Sequence, residues 1–191
     1  MALRRFLAGV ADPGAADTDA SPGDGDARDT ATVRRIVREL EALPPERARF
    51  LASFAYVLTR AASADLEIAN VEMAAIERLI AEYGGLPPAQ AVLVAEMART
   101  QSLLYGGTED YLVTRQFRAL STPEERVALL RCCYLVGAAD DTITASESDT
   151  LQTIARELDL DRPTVNAIRN EFASKLSAIQ ALLRFRGDAP G

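Results

Sequence analysis

The chain has no histidine and no tryptophan in 191 residues, and only two cysteines. Without histidine there is no Ser-His-Asp triad, no imidazole general base and no zinc site with an imidazole ligand. Cys132 and Cys133 are adjacent within an apolar run, so they supply neither a four-thiolate metal site nor a disulfide framework. Two small apolar residues on a buried helix is a plainer reading of them than a redox pair. Phosphate-cradling loops are missing as well: no Walker-type or Gly-x-Gly-x-x-Gly stretch occurs, and Gly84-Gly85 and Gly106-Gly107 each follow a helical run and read as helix stops. No apolar run reaches the roughly 20 residues of a membrane-spanning helix. No stretch alternates with period two for long enough to be a strand.

Positive charge is also scarce. Against 28 acidic residues stand 21 basic ones, a net charge of −7. A phosphate backbone is therefore a poor partner, because there is no excess of cations to release its counterions, and no nucleic acid is expected. Six aspartates lie between Asp12 and Asp29 with Arg28 as their only opponent, so the remainder of the chain is nearly balanced. Residues 11–30, rich in Asp, Gly and Pro, read as a disordered acidic linker. Ahead of them Leu3, Phe6, Leu7 and Val10 share one face of a short amphipathic segment over residues 1–10, with Arg4 and Arg5 off it. At most that segment makes a weak peripheral contact with an anionic membrane; a frayed or docked terminus is the reading its length favours.

What is present is helical periodicity from Thr32 onward, over a domain expected at residues 31–185 with a flexible tail at 186–191. Val33, Ile36, Val37 and Leu40 make a stripe that closes at Leu43-Pro44-Pro45, and Pro45 suits the first position of the next helix. Phe50, Leu51, Phe54, Val57, Leu58 and Ala61 form a broader stripe. Further helices carry Met73, Ile76, Leu79 and Ile80 up to Gly84, then Val92, Leu93 and Met97 from Pro88 to about Leu104. A connecting helix over 108–120 turns Tyr111, Leu112 and Phe117 inward. Thr122-Pro123-Glu124-Glu125 opens another, with Val127, Leu130 and Tyr134 inward. A helix over about 146–158 and a last one from near Pro163 to about Leu183 complete the set.

One stretch occurs twice. Ala64-Asp65 with Ile68, Glu72 and Ile76 matches Ala139-Asp140 with Ile143, Glu147 and Leu151, at a constant offset of 75 residues. The offset holds for Leu79 and Ile154, Glu82 and Glu157, Pro88 and Pro163, and Met97 and Phe172. One helical unit has been used twice, so residues 45–104 are expected to superpose on about 120–180. In each copy an aspartate falls at a helix C-terminus, where a carboxylate faces the negative end of the helix dipole at a cost of about 0.3–1 kcal/mol. The second copy places Asp140 and Asp141 there. Some compensating positive charge is expected.

Two readings of these turns stand side by side. Thr144-Ala145-Ser146-Glu147 is a capping box, in which Thr144 and Glu147 satisfy each other's backbone amides. The first copy has Ala69 in place of Thr144 but keeps Glu72, which capping explains less fully. Alternatively, the carboxylates gather a hard divalent cation: Asp140, Asp141 and Glu147 in the second turn, and Asp65, Glu67 and Glu72 in a weaker first turn. An EF-hand is excluded by Ala69, Asn70 and Ile76 at its ligand and glycine positions.

The repeated Ala-Asp-x-x-Ile-x-x-x-Glu, with Glu109-Asp110-Tyr111-Leu112-Val113-Thr114 and Glu124-Glu125-Arg126-Val127-Ala128-Leu129-Leu130-Arg131, resembles the TerB-like (tellurite-resistance protein B-like) family over about 33–172. The resemblance implies an all-α fold, a helical bundle of two related units with a pseudo-twofold relation. It also implies a calcium-like divalent cation at the two acidic turns, a role in tellurite and other stress responses, and association with membrane-associated complexes. Leu66 and Asp141 stand where family members favour glycine. The expected function is thus a cytoplasmic, non-enzymatic stress-response module that docks protein partners, peripheral to the inner face of the membrane if the first segment engages it. The alternative is a metal-free interaction scaffold or homodimer whose acidic residues only cap helices.

Overall fold

The computed structural model describes residues 34–63 and 68–187, with side chains through residue 182. The amphipathic segment 1–10, the acidic linker 11–30, and Asp65 and Glu67 lie outside the described residues. The chain divides into two compact units, Met1–Arg49 and Phe50–Gly191. Of the first, a helix α1 is described over 34–41. Then follow α2 (Pro45–Ala62), α3 (Asn70–Gly84), α4 (Pro88–Tyr105), α5 (Asp110–Leu120), α6 (Pro123–Gly137), α7 (Ala145–Glu157), α8 (Arg162–Glu171), a 3-10 turn (Ala173–Lys175) and α9 (Ser177–Gly187). The fold is all-α, and among the described residues the only strand-like feature is an isolated bridge between Ile143 and Leu176.

Prolines set several of these helix starts. Pro45, Pro88 and Pro123 each stand at a first helical position, where the missing amide proton has no intrahelical acceptor to lose and the fixed φ is already helical. Asp161 caps α8 by accepting from the Thr164 amide at 2.8 Å. Gly85 ends α3 in the left-handed conformation, φ 61°, which glycine adopts without a Cβ clash. The preceding Gly84 serves a different need, since a Cβ there would stand 2.8 Å from Leu51 Cδ2. Its absence lets the end of α3 close against α2.

The core of the second unit is built on α2, α3 and α6. Leu51, Phe54, Val57, Leu58 and Ala61 of α2 are buried as their spacing requires, with Ile76, Leu79 and Ile80 of α3 and Leu129, Leu130 and Tyr134 of α6. The rings of Phe50 and Phe117 lie 5.1 Å apart and tie α2 to α5. Helix α3 packs on α4 and α6, α6 on α7 and α8, and α5 on α7.

Three expectations are corrected. Tyr111 and Leu112 point outward, 53% and 60% exposed. The inward face of α5 is set instead by Asp110, Thr114 and Phe117, because Asp110 and Thr114 are held by the buried Arg60 described below. Val92 is exposed too: α4 buries Ala91, Ala95, Ala98 and Ser102, small residues that let it approach its neighbour closely. Finally, the last helix is not continuous from Pro163 to Leu183. It breaks at Phe172–Leu176, where backbone groups leave the helical ladder for Ile143: the Ile143 amide donates to Lys175 O at 2.7 Å and the Ser177 amide donates to Ile143 O at 2.9 Å.

The 75-residue offset holds at the helix ends that flank the acidic turns and not at the outer ends of the same helices, where α2 begins at Pro45 and α6 at Pro123. Ala62 and Gly137 end α2 and α6; Asn70 and Ala145 begin α3 and α7. The third pair parts company, for α4 runs 18 residues without interruption whereas α8 stops after ten.

Candidate functional site

The second acidic turn is a strapped structure. After Gly137 the chain makes a tight turn in which the Asp141 amide donates to Ala138 O at 3.0 Å. Asp141 itself takes φ 73°, a left-handed conformation that Asp tolerates better than most side chains. Asp140 Oδ1 accepts from the Thr142 amide at 3.0 Å, an Asx turn. Asp141 pairs through Oδ1 with the Lys175 ammonium, which is brought there by the break between α8 and α9. That hydrogen bond and charge hold the Asp141 carboxyl below its usual range. Lys175 is the compensating cation expected at this helix C-terminus. Gln180 of α9 closes the strap, its amide nitrogen donating to Asp141 O at 3.0 Å and Ser174 O at 3.1 Å. Ile143 is fully buried between these contacts.

Glu147 is committed to the cap. Its Oε2 accepts from the Thr144 amide at 2.7 Å, and Thr144 Oγ1 accepts from the Glu147 amide at 3.2 Å. The residue is only 5% exposed, and its carboxylate fits against Gly137, where a Cβ would come within 3.6 Å of Oε1. In the first copy Glu72 does the same work without a threonine: Oε2 accepts from the Ala69 amide at 2.8 Å, and Glu72 is 6% exposed. Ile68, which matches Ile143, is half-buried.

The three carboxylates of the second turn therefore have separate partners: the Thr142 amide, the Lys175 ammonium and the Thr144 amide. Among the described residues no three Cys, Asp or Glu side chains form a group able to hold a metal ion. A hard divalent cation takes about six to eight oxygens, and an ammonium already bound at Asp141 opposes its approach. In this arrangement the donor set of the second turn does not fit such an ion. Glu72, the described member of the first set, faces its own cap.

A second polar cluster was not singled out in the sequence. Arg60, in the last turn of α2 and 9% exposed, donates from Nη1 and Nη2 to Glu157 at 2.5 and 3.1 Å. It also donates from Nη1 to Thr114 Oγ1 at 2.8 Å, and its Nε lies 3.4 Å from Asp110 Oδ2. Tyr56 donates to Asp110 Oδ1 at 2.9 Å, and burial together with that carboxylate pushes its phenol upward. One guanidinium thus joins α2, α5 and α7. The signal was an arginine next to the α2 apolar stripe, paired with carboxylates 50 and 97 residues away that no local pattern connects to it.

The cysteines are buried in α6, and desolvation pushes the Cys132 thiol up to about 11 and the Cys133 thiol well above its ordinary value. Both are protonated at neutral pH and are poor nucleophiles and poor ligands. No helix among the described residues is long and apolar enough to cross a membrane.

An all-helical unit in which Glu72 and Glu147 each close onto the N-cap amide of their own helix is the class that this geometry defines. The family model described as Tellurite resistance protein TerB matches residues 50–170, and the chain belongs to the TerB family. Neither the curated proteins nor the solved structures yield a match to it.

Proposed function

We propose that this chain is a non-catalytic TerB-family module of the response to tellurite and related stress, acting as a metal-independent helical scaffold that docks other proteins. The observation that carries this reading is the engagement of each described turn carboxylate by the chain's own groups: Glu72 and Glu147 by N-cap amides, Asp140 by an amide and Asp141 by Lys175. Carboxylates so held brace helix junctions and leave a rigid surface for others to read. Buried, protonated thiols and a chain without histidine supply no obvious acid, base or nucleophile, which supports a role without chemistry.

The test is complementation. Deleting the gene in its host should lower growth on tellurite; wild type and Asp140→Asn/Asp141→Asn should both restore it, because neither aspartate is needed as a ligand. A deletion strain with unchanged tellurite tolerance contradicts the stress role, and failure of the Asn variant despite normal folding contradicts the scaffold reading.

A further inference from the structure

The described arginines of the second unit differ in their pairing; among the described residues Arg78 and Arg126 make no salt bridge and stand apart from the others, Arg126 donating to Ser121 O. Arg60, Arg99 and Arg131 are each paired with a carboxylate. Among the described residues Arg115, Arg118, Arg156, Arg162 and Arg169 form no salt bridge, and the one side-chain bond made there by any of them is from Arg156 to Thr153 Oγ1 at 2.9 Å. In a chain of net charge −7, five unneutralised guanidinium groups in one place are an anomaly.

They share one place because three helices present matching faces. On α5, Tyr111, Arg115 and Arg118 follow at helical spacing on the face beside that of buried Thr114 and Phe117. On α7, Thr153 and Arg156 fall on one face, and on α8 Arg162 and Arg169 are two turns apart with Val165 between them. A depression of about 340 Å³ between α5 and α7 contains Arg115, Arg118 and Arg156. A second, of about 500 Å³ between α7 and α8, contains Arg156, Arg162 and Arg169. Thr153 and Arg156 line both, so the two depressions adjoin at α7 and form one grooved surface on either side of it. The acids that line it are Glu157, which Arg60 already neutralises, and Asp149.

We propose that this groove binds an acidic segment of a partner protein, an extended run of Asp and Glu interleaved with apolar residues. The proposal rests on the scaffold reading above and names the chemistry of what is docked. Charge complementarity requires an anion. Tyr111 in the first depression and Leu160 and Val165 in the second require apolar groups between the charges, which neither a phosphate backbone nor a layer of lipid headgroups offers. The cations lie along a groove shared by three helices, which suits a chain better than a flat membrane surface. Arginine also binds carboxylates with paired donors, so register as well as charge is read.

The experiment is fluorescence anisotropy of the full chain with a labelled peptide of Asp-Glu pairs separated by leucines. Wild type should bind it, more weakly as salt rises from about 50 to about 500 mM. Arg115→Glu/Arg156→Glu/Arg162→Glu should weaken binding by about tenfold or more, whereas the distant Arg99→Glu should not. Circular dichroism checks folding, and the milder Arg115→Gln/Arg156→Gln/Arg162→Gln replaces the reversal if that variant unfolds. The proposal is overturned if wild type ignores the peptide, if the groove variants bind as well as wild type, or if phosphatidylserine vesicles or a single-stranded oligonucleotide bind the groove more tightly than the peptide. Expressed in the deletion strain, wild type separates the two claims: growth restored without peptide binding sinks only the groove, and peptide binding with no effect on growth sinks only the stress role.

Discussion

The two copies of the repeat keep the same helix ends on either side of the acidic turn and fasten the helix that follows it differently. In the first, Glu72 reaches back to the amide of Ala69, and the partnering helix α4 runs on unbroken to Tyr105. In the second, Glu147 and Thr144 cap each other, α8 stops at Glu171, and the chain after it supplies Lys175, Leu176 and Gln180 to the turn. What both retain is the glutamate on the N-cap amide, so that bond is the common element and threonine is an addition to it. Position 60 differs in the same spirit. Arg60 is a buried hub, and its counterpart at the 75-residue offset, Leu135, is 38% exposed. The two copies thus differ in their polar fastenings, while the helix ends that flank the acidic turns keep the 75-residue offset.

The largest break in this comparison comes from removing the hub. Arg60→Ala leaves Glu157 and Asp110 largely buried without their cation and should cost about 3–5 kcal/mol, read as a drop in urea midpoint. Leu135→Ala, on the exposed counterpart, should cost much less. Next come the two glutamates. Glu72→Ala and Glu147→Ala each strand a helix-start amide and should cost about 1–3 kcal/mol apiece, with the two losses similar if the bond to the N-cap amide is their shared role. A loss at only one of them would mean that the copies use the residue for different ends.

The cap exchange sharpens the contrast with a smaller effect. Thr144→Ala should cost about 1 kcal/mol, and Ala69→Thr should gain about 0.5 kcal/mol or more, because the backbone at Ala69 (φ −68°, ψ 153°) already matches that at Thr144 (φ −67°, ψ 169°). Differential scanning calorimetry of the single and double exchanges checks both signs. The smallest effect concerns pH. The Asp141 carboxyl titrates below its ordinary 3.8, so its pairing adds stability above that pH that is lost as pH falls through the lowered value. Lys175→Gln should therefore be slightly less stable than wild type near neutrality, and the two should converge in acid.

Much of this was legible in the sequence because it was local. Proline at the first helical position, glycine at the end of α3 and the Thr144-Glu147 box each depend on residues a few positions apart, and each stands where its spacing put it. The outward faces of Tyr111 and Leu112 were not legible, because apolarity alone pointed them inward while Arg60, some 50 residues earlier, fixed the helix by Asp110 and Thr114. The break before α9 was hidden for the same reason: Ile143 draws backbone bonds from residues more than 30 positions away. At the candidate site, the four described acidic residues were visible as a pattern, but their partners were not. The pattern is compatible with a shared cation, and what separates that from capping is the direction of each carboxylate, which depends on Lys175, Thr142 and two N-cap amides.

The central claim is that the second acidic turn is a fastening of the chain to itself and not an ion's oxygen shell. Its most direct test is thermal unfolding of wild type and Asp140→Asn/Asp141→Asn with calcium, then magnesium and manganese, at about a hundredfold above any physiologically useful dissociation constant, where a bound ion would add about 2.7 kcal/mol. The account predicts melting temperatures that do not move with metal in either protein. A rise in wild type that the double variant lacks would contradict it and return the second turn to a cation.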